Sequence, residues 1–437
     1  MKYHIITYGC QMNRSDSERI ANALENLGFI PYSQSNKVDL FILNVCSVRQ
    51  SAIDRIISKA ESIKSKLLIT GCILQKDKKR FGKISDGIFN IADLTKLPKI
   101  LKNLGFKIKN TGILKSNHYL ETEPKYESNI IADIPIMTGC NNFCSYCVVP
   151  YTRGKEISRP IKDIVCEAKK LIQNGIKEIW LLGQNVNSYK PNFAKLLKQV
   201  NDIKGDFWIR FTSSHPKDLT SEMIETMAKC QKATPYFNLP IQSGDDNMLK
   251  AMNRPYSVKK YKELIKETRQ AFKKYRKGLE KEVAISTDAI VGFPGETKKQ
   301  FENTKKTFEE IKFAFGYISR YSPRPGTTAA RMKDNVSSIE KKKQKKELEK
   351  IIEKTALDFN KKFLNKEIDV LILEKKKDFF IGKTRHYQTI KIPAFCNEAG
   401  PRCKIGEFVK AKVTEVKPYG LQAKLIEARL RQGLRQG

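Results

Sequence analysis

Three cysteines in one short run are the residues of this sequence whose types and spacing most directly indicate chemistry. Cys140, Cys144 and Cys147 follow the spacing C-x3-C-x2-C. A cubane cluster has four irons, and most electron-transfer clusters bind each iron through one cysteine. Three thiolates this close, with no fourth nearby, predict a cluster with one iron open to a substrate or cofactor. A structural zinc site is the alternative, but zinc prefers four ligands in C-x2-C pairs, so the spacing favours iron–sulfur.

A second set of three cysteines is spread over the first 72 residues. Each one follows a predicted strand: Cys10 follows Tyr3–Tyr8, Cys46 follows Asp39–Val45, and Cys72 follows Lys66–Thr70. The carboxyl ends of parallel strands share one edge of an open α/β sheet, where ligands bind, so the three thiols are expected to meet in space. Any one of them can instead be a buried structural thiol. Three at the same topological position predict a second cluster that again leaves one iron open.

The elements that position the second set form a first domain, predicted for residues 1–115. Its strands alternate with helices, which are predicted over Ser15–Leu27 and Arg49–Lys64. In the first helix, Ser15 is the predicted N-cap and Glu18 stands in the capping-box position. This alternation predicts an open parallel α/β sheet.

The run of Cys140 to Cys147 belongs to a second domain, predicted for residues 126–362, which ends in a charged connecting helix. Its strand candidates are Ala132–Thr138, Glu178–Leu182, Trp208–Thr212, Tyr236–Leu239, Val283–Val291 and Phe315–Tyr321. Six strands predict a partial (β/α)6 barrel, because a full eight-stranded barrel needs more. The cysteine run follows the first strand, at the rim that carries the chemistry of such barrels.

A third domain, predicted for residues 366–428, has short alternating strands bounded by Gly, Pro and Asn. That pattern predicts a small antiparallel β-barrel. Its strands carry five of the chain's basic residues, namely Lys383, Arg385, Lys391, Lys410 and Lys412. Small barrels with basic, aromatic-bearing faces commonly bind RNA, which is the preferred interpretation, and a structural cap is the alternative.

Charge and hydropathy restrict the class of protein. The 437 residues carry a formal net charge of +35, from 82 basic and 47 acidic residues. A Lys-rich coding bias raises charge without any function, yet an excess of this size favours a polyanionic partner such as nucleic acid. Apolar runs such as Asp39–Leu43 are far shorter than the ~20 residues of a membrane span. The N-terminus lacks the apolar core of a signal peptide. We therefore expect a cytoplasmic protein with no membrane partner.

With both cysteine sets in hand, the chain resembles the radical S-adenosylmethionine (SAM) methylthiotransferases over nearly its whole length. The motifs that carry the resemblance are Tyr8–Asn13, Asp16–Glu18, Val149–Gly154, Glu156–Pro160, Leu182–Asn187, Ser214–Pro216, Pro240–Gly244, Val291–Glu296 and Tyr321–Gly326. They are most similar to the branch that acts on N6-isopentenyladenosine in tRNA. Branches that act on N6-threonylcarbamoyladenosine or on a ribosomal protein share the architecture but differ around Gln11–Asn13 and Pro150–Gly154. One departure follows Cys72, where Ile73-Leu-Gln-Lys76 replaces the small residues usual in the family.

The resemblance implies an enzyme with two [4Fe-4S] clusters. Cys140, Cys144 and Cys147 are implied to hold the cluster that cleaves SAM, with Tyr146 against the adenine of SAM. The auxiliary cluster on Cys10, Cys46 and Cys72 is implied to supply sulfur, which a second SAM methylates. The implied product is 2-methylthio-N6-isopentenyladenosine at tRNA position 37. The resemblance also implies that the third domain is an RNA-binding TRAM domain. Implied partners are tRNA, at its anticodon loop, an electron donor such as flavodoxin or ferredoxin, and a sulfur donor.

Further SAM contacts are predicted at the ends of later barrel strands, where the family places polar groups. By strand position these residues are Gln184, Ser213, Gln242 and Asp288. Cys166 and Cys230 lie in predicted helices and are interpreted as buried thiols. A zinc-stabilised RNA-binding protein is the alternative from a different class. It accounts for the charge and the third domain, but not for two open three-ligand sites.

Overall fold

The computed structural model describes residues 1–34, 37–46, 50–108, 118–394 and 403–428. Within these ranges no helix combines the length and the apolar character that a membrane crossing requires. The described chain forms three units, which follow one another along the sequence and share one of the apolar cores.

The first unit is a five-stranded sheet in the order β2-β1-β3-β4-β5, in which every pairing is parallel. Its elements are β1 (Lys2–Tyr8), α1 (Gln11–Asn26), β2 (Ile30–Pro31), β3 (Leu40–Cys46), α2 (Gln50–Glu61), β4 (Lys66–Cys72), α3 (Gln75–Phe81), β5 (Gly87–Ile88) and α4 (Leu97–Asn103). β3 is buried along almost its whole length, as expected for a central strand covered on both faces. The predicted open parallel α/β sheet is confirmed.

The start of α1 differs from the prediction. The helix begins at Gln11 with Cys10 as its N-cap, so the predicted N-cap Ser15 lies inside the helix and is fully buried. The Ser15 hydroxyl donates to the backbone carbonyl of Asp133 at 3.3 Å, across the interface with the second unit. Polar side chains in the first turns of α1, such as Arg14 and Ser15, form hydrogen bonds across this interface. The predicted cap at Ser15 is wrong for that reason.

The second unit is a partial barrel of six parallel strands. Its elements are β6 (Ile131–Pro135), β7 (Met137–Thr138), α5 (Val149–Thr152), β8 (Ile157–Ser158), α6 (Ile161–Gln173), β9 (Glu178–Leu182), α7 (Phe193–Asn201), β10 (Trp208–Phe211), α8 (Ser221–Lys229), β11 (Tyr236–Asn238), α9 (Asp246–Ala251), α10 (Val258–Tyr275), β12 (Ala284–Val291), α11 (Lys298–Ile311) and β13 (Phe315–Arg320). Strands β6, β9 and β10 form one sheet and β11, β12 and β13 another, and an isolated bridge from Ile209 to Ala233 joins them. The predicted (β/α)6 arrangement is confirmed.

A long helix, α12 (Ser338–Lys361), leads to the third unit, a closed barrel of five strands. The strands are β14 (Glu367–Lys375), β15 (Phe379–Thr384), β16 (Thr389–Pro393), β17 (Phe408–Lys417) and β18 (Gly420–Ala428). The predicted small antiparallel β-barrel is confirmed, and the pairing of β16 with β18 is its one parallel pair among the described strands. Five strands cannot alternate direction around a closed ring, so one neighbouring pair must be parallel.

A buried arginine of the second unit forms hydrogen bonds with the backbone of the third unit. Arg210 of β10 pairs with Glu178 at 2.7 Å and is fully buried. Its two terminal nitrogens donate to the backbone carbonyls of Thr384 (2.8 Å) and Arg385 (2.9 Å) in the small barrel. Because a buried guanidinium needs its partners, these bonds tie the two units together.

This interface also corrects the predicted basic face of the small barrel. Arg385 pairs with Glu280 of the second unit at 2.6 Å. Lys383 donates to Thr389 at 2.9 Å, and burial lowers the pKa of Lys383 to about 8. Both side chains are therefore part of internal packing, whereas Lys391 and Lys412 are exposed and Lys410 is half-buried.

Two predictions about the remaining cysteines have different outcomes. Cys230 is buried, as predicted, at the end of α8. Cys166 is exposed on α6, which corrects its interpretation as a buried thiol. It lies on the face of α6 that does not pack against the barrel strands.

Candidate active site

The loop that carries the second-unit cysteines, residues 139–148, is preformed by local contacts. We call it the cysteine loop. Gly139 has a φ of +77°, and a Cβ there would lie 2.1 Å from the carbonyl oxygen of Lys155, so only glycine fits. Farther along, the side-chain amide of Asn253 donates to the carbonyl oxygen of Phe143 at 2.9 Å. The backbone of the loop is thus held at both places by protein contacts.

The three thiols of the cysteine loop line one cavity of about 570 Å³ together with Cys10 of the first unit. We call this space the central cavity. Cys140 and Cys144 are buried. Burial raises the pKa of Cys140 and raises the pKa of Cys147 to about 12. A coordinating metal deprotonates its thiol ligands outright, so these thiols fit a metal centre better than a role as free thiolates.

A buried arginine lies against the cysteine loop. Arg254 donates from Nη1 to the Cys144 sulfur at 3.6 Å, from Nη2 to the carbonyl oxygen of Pro240 at 2.8 Å, and from Nε to the Tyr256 hydroxyl at 2.8 Å. All three nitrogens of the guanidinium therefore have partners. Donors of this kind orient a sulfur ligand and tune the centre that it binds.

The first-unit cysteines lie at the carboxyl edge of the parallel sheet. Cys10 caps α1, and Cys46 and Cys72 end adjacent strands and are paired in register. A hydrogen bond with Cys46, and then the positive charge of Arg153, lower the pKa of Cys72 to about 6 despite its burial. Burial raises the pKa of Cys10, and its neighbour Cys72 adds to that rise. The fold thus brings together three thiols that are 36 and 26 residues apart in sequence.

Arg153 connects the two cysteine sets. It follows α5, six residues after Cys147, and its Nε donates to the Cys72 sulfur at 3.1 Å. Its Nη2 donates to Asp16 of α1 at 2.6 Å, and both side chains of this ion pair are buried. Among the described residues, Nη1 of Arg153 and Oδ1 of Asp16 are buried without a hydrogen-bond partner. A residue of the second unit therefore reaches the cysteine site of the first.

Replacing Arg153 with methionine is expected to weaken iron retention at the first-unit cysteines. The change keeps the side-chain volume but removes the donor to Cys72, and loss of such an outer-shell partner typically costs about 10–100-fold in metal affinity. Iron release to a chelator, measured on the reconstituted protein, checks this. Arg14→Met is the matched control, since the Arg14 side chain pairs with Asp133 across the same interface and forms no hydrogen bond with a cysteine sulfur of the described residues. Equal release rates in both variants would contradict the role of Arg153.

All of the predicted SAM-binding side chains line the central cavity, namely Tyr146, Gln184, Ser213, Gln242 and Asp288. Ser213 and Gln242 have φ values of +63° and +67°, a strained conformation that clusters at functional sites. Oε1 of Gln184 is buried with no hydrogen-bond partner among the described residues. Burial raises the pKa of Asp288, although Asn238 donates to its carboxylate at 3.1 Å. The cavity therefore offers unused polar groups to a polar ligand.

The donor sets fit iron–sulfur clusters better than single ions. Within the described ranges, no group of three or more His, Cys, Asp or Glu side chains is arranged to hold a metal ion. A single tetrahedral zinc draws its thiolates to about 2.3 Å from one centre. A cubane instead distributes its thiolates over separate irons. Each set offers three thiols, one fewer than a structural zinc site takes, and this number suits a cubane with one open iron.

His215 is a cavity residue that the sequence analysis did not select, although it belongs to the motif Ser214–Pro216. It is buried and lines the central cavity. Burial, followed by the charges of Arg254 and Lys217, lowers the pKa of His215 to about 2, so the ring is neutral. Nδ1 accepts the backbone N–H of Lys217 at 3.2 Å, and Nε2 has no partner among the described residues. Nε2 is therefore available to donate a hydrogen bond to a ligand in the cavity. The sequence signal for His215 was its place in the motif Ser214–Pro216.

Three aromatic rings line one end of the central cavity, and we call them the aromatic floor. Trp180 and Tyr236 come from barrel strands, whereas Tyr387 comes from the third unit. The Tyr387 ring lies 4.7 Å from that of Tyr236 and 5.3 Å from that of Trp180. The φ of Tyr387 is +71°, in the left-handed region. No sequence signal linked this residue to the barrel.

Each of the three units matches a known protein family or domain. Residues 2–91 match "Uncharacterized protein family UPF0004", residues 134–308 match the "Radical SAM superfamily", and residues 361–426 match the "TRAM domain". Among solved structures, the radical S-adenosylmethionine methyltransferase TsrM from Kitasatospora setae is similar. Its TM-score is 0.56 at 13% identity, over 75% of each chain. That likeness shows the fold alone.

Full-length relatives are more informative. A tRNA-2-methylthio-N(6)-dimethylallyladenosine synthase from Carboxydothermus hydrogenoformans is 38% identical, over 97% of this chain and 99% of the relative. The protein of the same name from Bacillus thuringiensis is 36% identical, over 98% and 86% of the two chains. With similarity of this degree along nearly their whole length, the chain belongs to the family of tRNA-2-methylthio-N(6)-dimethylallyladenosine synthases.

Proposed function

We propose that this protein adds a methylthio group to C2 of N6-isopentenyladenosine at position 37 of tRNA. The observation that carries the proposal is the central cavity, which Cys10 of the first unit shares with Cys140, Cys144 and Cys147 of the second. A reaction that activates a C–H bond and delivers sulfur to the same carbon needs both centres within reach of one base. Relatives that are 36–38% identical bear the name of this reaction.

The cofactors are two [4Fe-4S] clusters and SAM. We propose that Cys140, Cys144 and Cys147 hold the first cluster and that the first-unit cysteines hold the second. When bound, these groups supply a 5′-deoxyadenosyl radical that removes the C2 hydrogen, and the sulfur and methyl group that replace it. The C2–H bond of adenine has no acidity that a base can use, so the cofactor must carry this step.

The chain's own residues bind and orient the reactants. Gln184, Ser213, Gln242 and Asp288 are proposed to bind polar groups of SAM, with Tyr146 against its adenine. His215 adds a neutral donor. The aromatic floor excludes water from its end of the cavity and offers ring faces on which a flat base can stack.

The third unit is proposed to bind the tRNA backbone. After the correction for Lys383 and Arg385, its exposed basic residues are Lys375, Lys376, Lys377, Lys391, Lys404, Lys412, Lys417 and Lys424. Position 37 lies in a loop, so its base can be splayed out without melting a helix. A one-electron donor such as flavodoxin or ferredoxin and a sulfur donor complete the proposed partners, and the cytoplasm is the proposed location.

Nucleoside analysis tests the proposed function. The protein, reconstituted anaerobically with iron and sulfide, is incubated with SAM, a reductant and tRNA that carries N6-isopentenyladenosine. Mass spectrometry of the digested tRNA should show 2-methylthio-N6-isopentenyladenosine, and tRNA that carries N6-threonylcarbamoyladenosine should stay unchanged. Methylthiolation of the second substrate alone would assign the other branch of the family. If the protein binds zinc and contains no labile sulfide, the proposal that it is a methylthiotransferase is wrong.

A further inference from the structure

Two half-exposed aromatic rings lie at the edge of the cysteine loop. Phe143 is 50% exposed and Tyr151 is 51% exposed, and their ring centroids are 6.1 Å apart with an interplanar angle of 79°. We call this pair the aromatic rim. Cys140 and Cys144, on either side of Phe143 in the sequence, line the central cavity. The aromatic rim therefore adjoins the cavity on its solvent side.

The position of Phe143 is imposed by the backbone. Its φ is +48°, in the left-handed region that a bulky residue rarely adopts. Asn253, which is itself left-handed at +54°, holds the carbonyl oxygen of Phe143, and Lys217 donates to the side chain of Asn142 at 2.6 Å. The strained residue thus keeps about half of an apolar ring exposed to solvent. Strain of this kind indicates a functional constraint.

A groove of about 450 Å³ continues from Tyr151 across the first unit. Gly71 and Ile73, which flank Cys72, lie at one end of it, and three exposed lysines line it farther along, namely Lys78, Lys96 and Lys99. We call it the lysine groove. Lys96 pairs with Asp93 at 2.7 Å. Lys78 and Lys99 form no ion pair with any described residue. The groove is therefore a cationic path that begins beside the auxiliary cysteines.

From these two features we infer a second RNA-binding surface, which is formed by the cysteine loop, Tyr151 and the first unit and not by the third unit. Nucleotides that flank the target adenosine stack on the aromatic rim, and their phosphates lie in the lysine groove. Aromatic side chains bind unpaired bases by stacking, and lysines bind the backbone beside them. This inference rests on the proposed function and adds to it. The first unit holds the anticodon loop while the target base enters the central cavity.

The stacking half of the inference is tested on Tyr151. Binding of an anticodon stem–loop RNA that contains N6-isopentenyladenosine is measured by fluorescence anisotropy, with the reconstituted protein. Tyr151→Leu keeps an apolar side chain without a ring and should weaken binding about tenfold, because the ring on which a base stacks is lost. Tyr151→Phe keeps the ring and should bind like the parent protein. Iron content equal to the parent's verifies that both variants are folded.

The phosphate half is tested with Lys78→Gln combined with Lys99→Gln. Two lost phosphate contacts should make the slope of log affinity against log salt shallower by about 1.4, at about 0.7 per contact for a single strand. The control pair is Lys266→Gln with Lys273→Gln, two exposed lysines in a groove of about 440 Å³ beside α10. The control pair should keep the parent's slope.

Parent-like affinity in Tyr151→Leu, together with a parent-like slope in the Lys78/Lys99 variant, would overturn the inference. The proposed function would still stand if the parent protein methylthiolates tRNA. The inference would also be wrong if the lysine substitutions slow reduction by an acidic electron-transfer protein and leave RNA binding unchanged. That result would assign the groove to the reductant. Failure of the parent protein to form the methylthio product is a separate outcome, which overturns the proposed function.

Discussion

Replacing Cys140, Cys144 and Cys147 together with alanine is expected to reduce SAM cleavage to the background rate. The reconstituted parent should hold about eight irons per chain, and the triple variant about four, because each cubane has four irons. Without the three thiols of the cysteine loop, Cys10 is the one described thiol left in the central cavity, and it is assigned to the second cluster. Tyr146, Gln184 and Asp288 would still line the cavity, but they bind no iron in this proposal.

Two measurements check this result on the same sample. Iron is counted after anaerobic reconstitution, and 5′-deoxyadenosine is quantified after addition of a strong reductant. Cys166→Ala is the matched control, since Cys166 is an exposed thiol on α6 and should leave both values unchanged. Formation of 5′-deoxyadenosine by the triple variant at the parent's rate would refute the assignment of the cysteine loop.

Single replacement of Cys10, Cys46 or Cys72 with alanine is expected to have the complementary effect. Formation of 2-methylthio-N6-isopentenyladenosine should fall to background, while reductive SAM cleavage continues in part. The reason is structural: these thiols lie at the carboxyl edge of the first unit's sheet, whereas the proposed SAM-binding side chains and the cysteine loop belong to the second unit. Generation of the radical and supply of sulfur are therefore separable by mutation.

The three cysteines differ in how deeply they are buried, so their replacement should affect the stability of the protein to different degrees. Cys72 is buried and bonded to Arg153, Cys46 is half-buried, and Cys10 is exposed to the central cavity. Loss of Cys72 should therefore disturb the interface with Arg153 as well as the iron site, so its thermal unfolding is compared with that of Cys10→Ala. Methylthiolation at the parent's rate in the Cys10→Ala variant would show that the auxiliary role is wrong.

Local spacing determined a large part of this site. Cys140, Cys144 and Cys147 lie within eight residues of one another, so a single turn of the chain can bring the three thiols together. The position of Cys10, Cys46 and Cys72 after successive strands also sufficed, since parallel strands end at a common edge. Where sequence reasoning failed locally, at Ser15, a partner from another domain used the side chain instead of the helix terminus.

Contacts between units were decided only by the tertiary structure. Arg153 meets Cys72 and Asp16, Tyr387 enters the floor of the barrel, and Lys383 and Arg385 turn inward. Nothing in the spacing of these residues encodes such contacts, because they depend on how whole surfaces fit after each unit has formed. Residue types and their spacing establish which chemistry the protein carries and which strands present it. Packing between the units, the sum of many weak interactions, decided that Cys10 of the first unit shares one cavity with the cysteine loop.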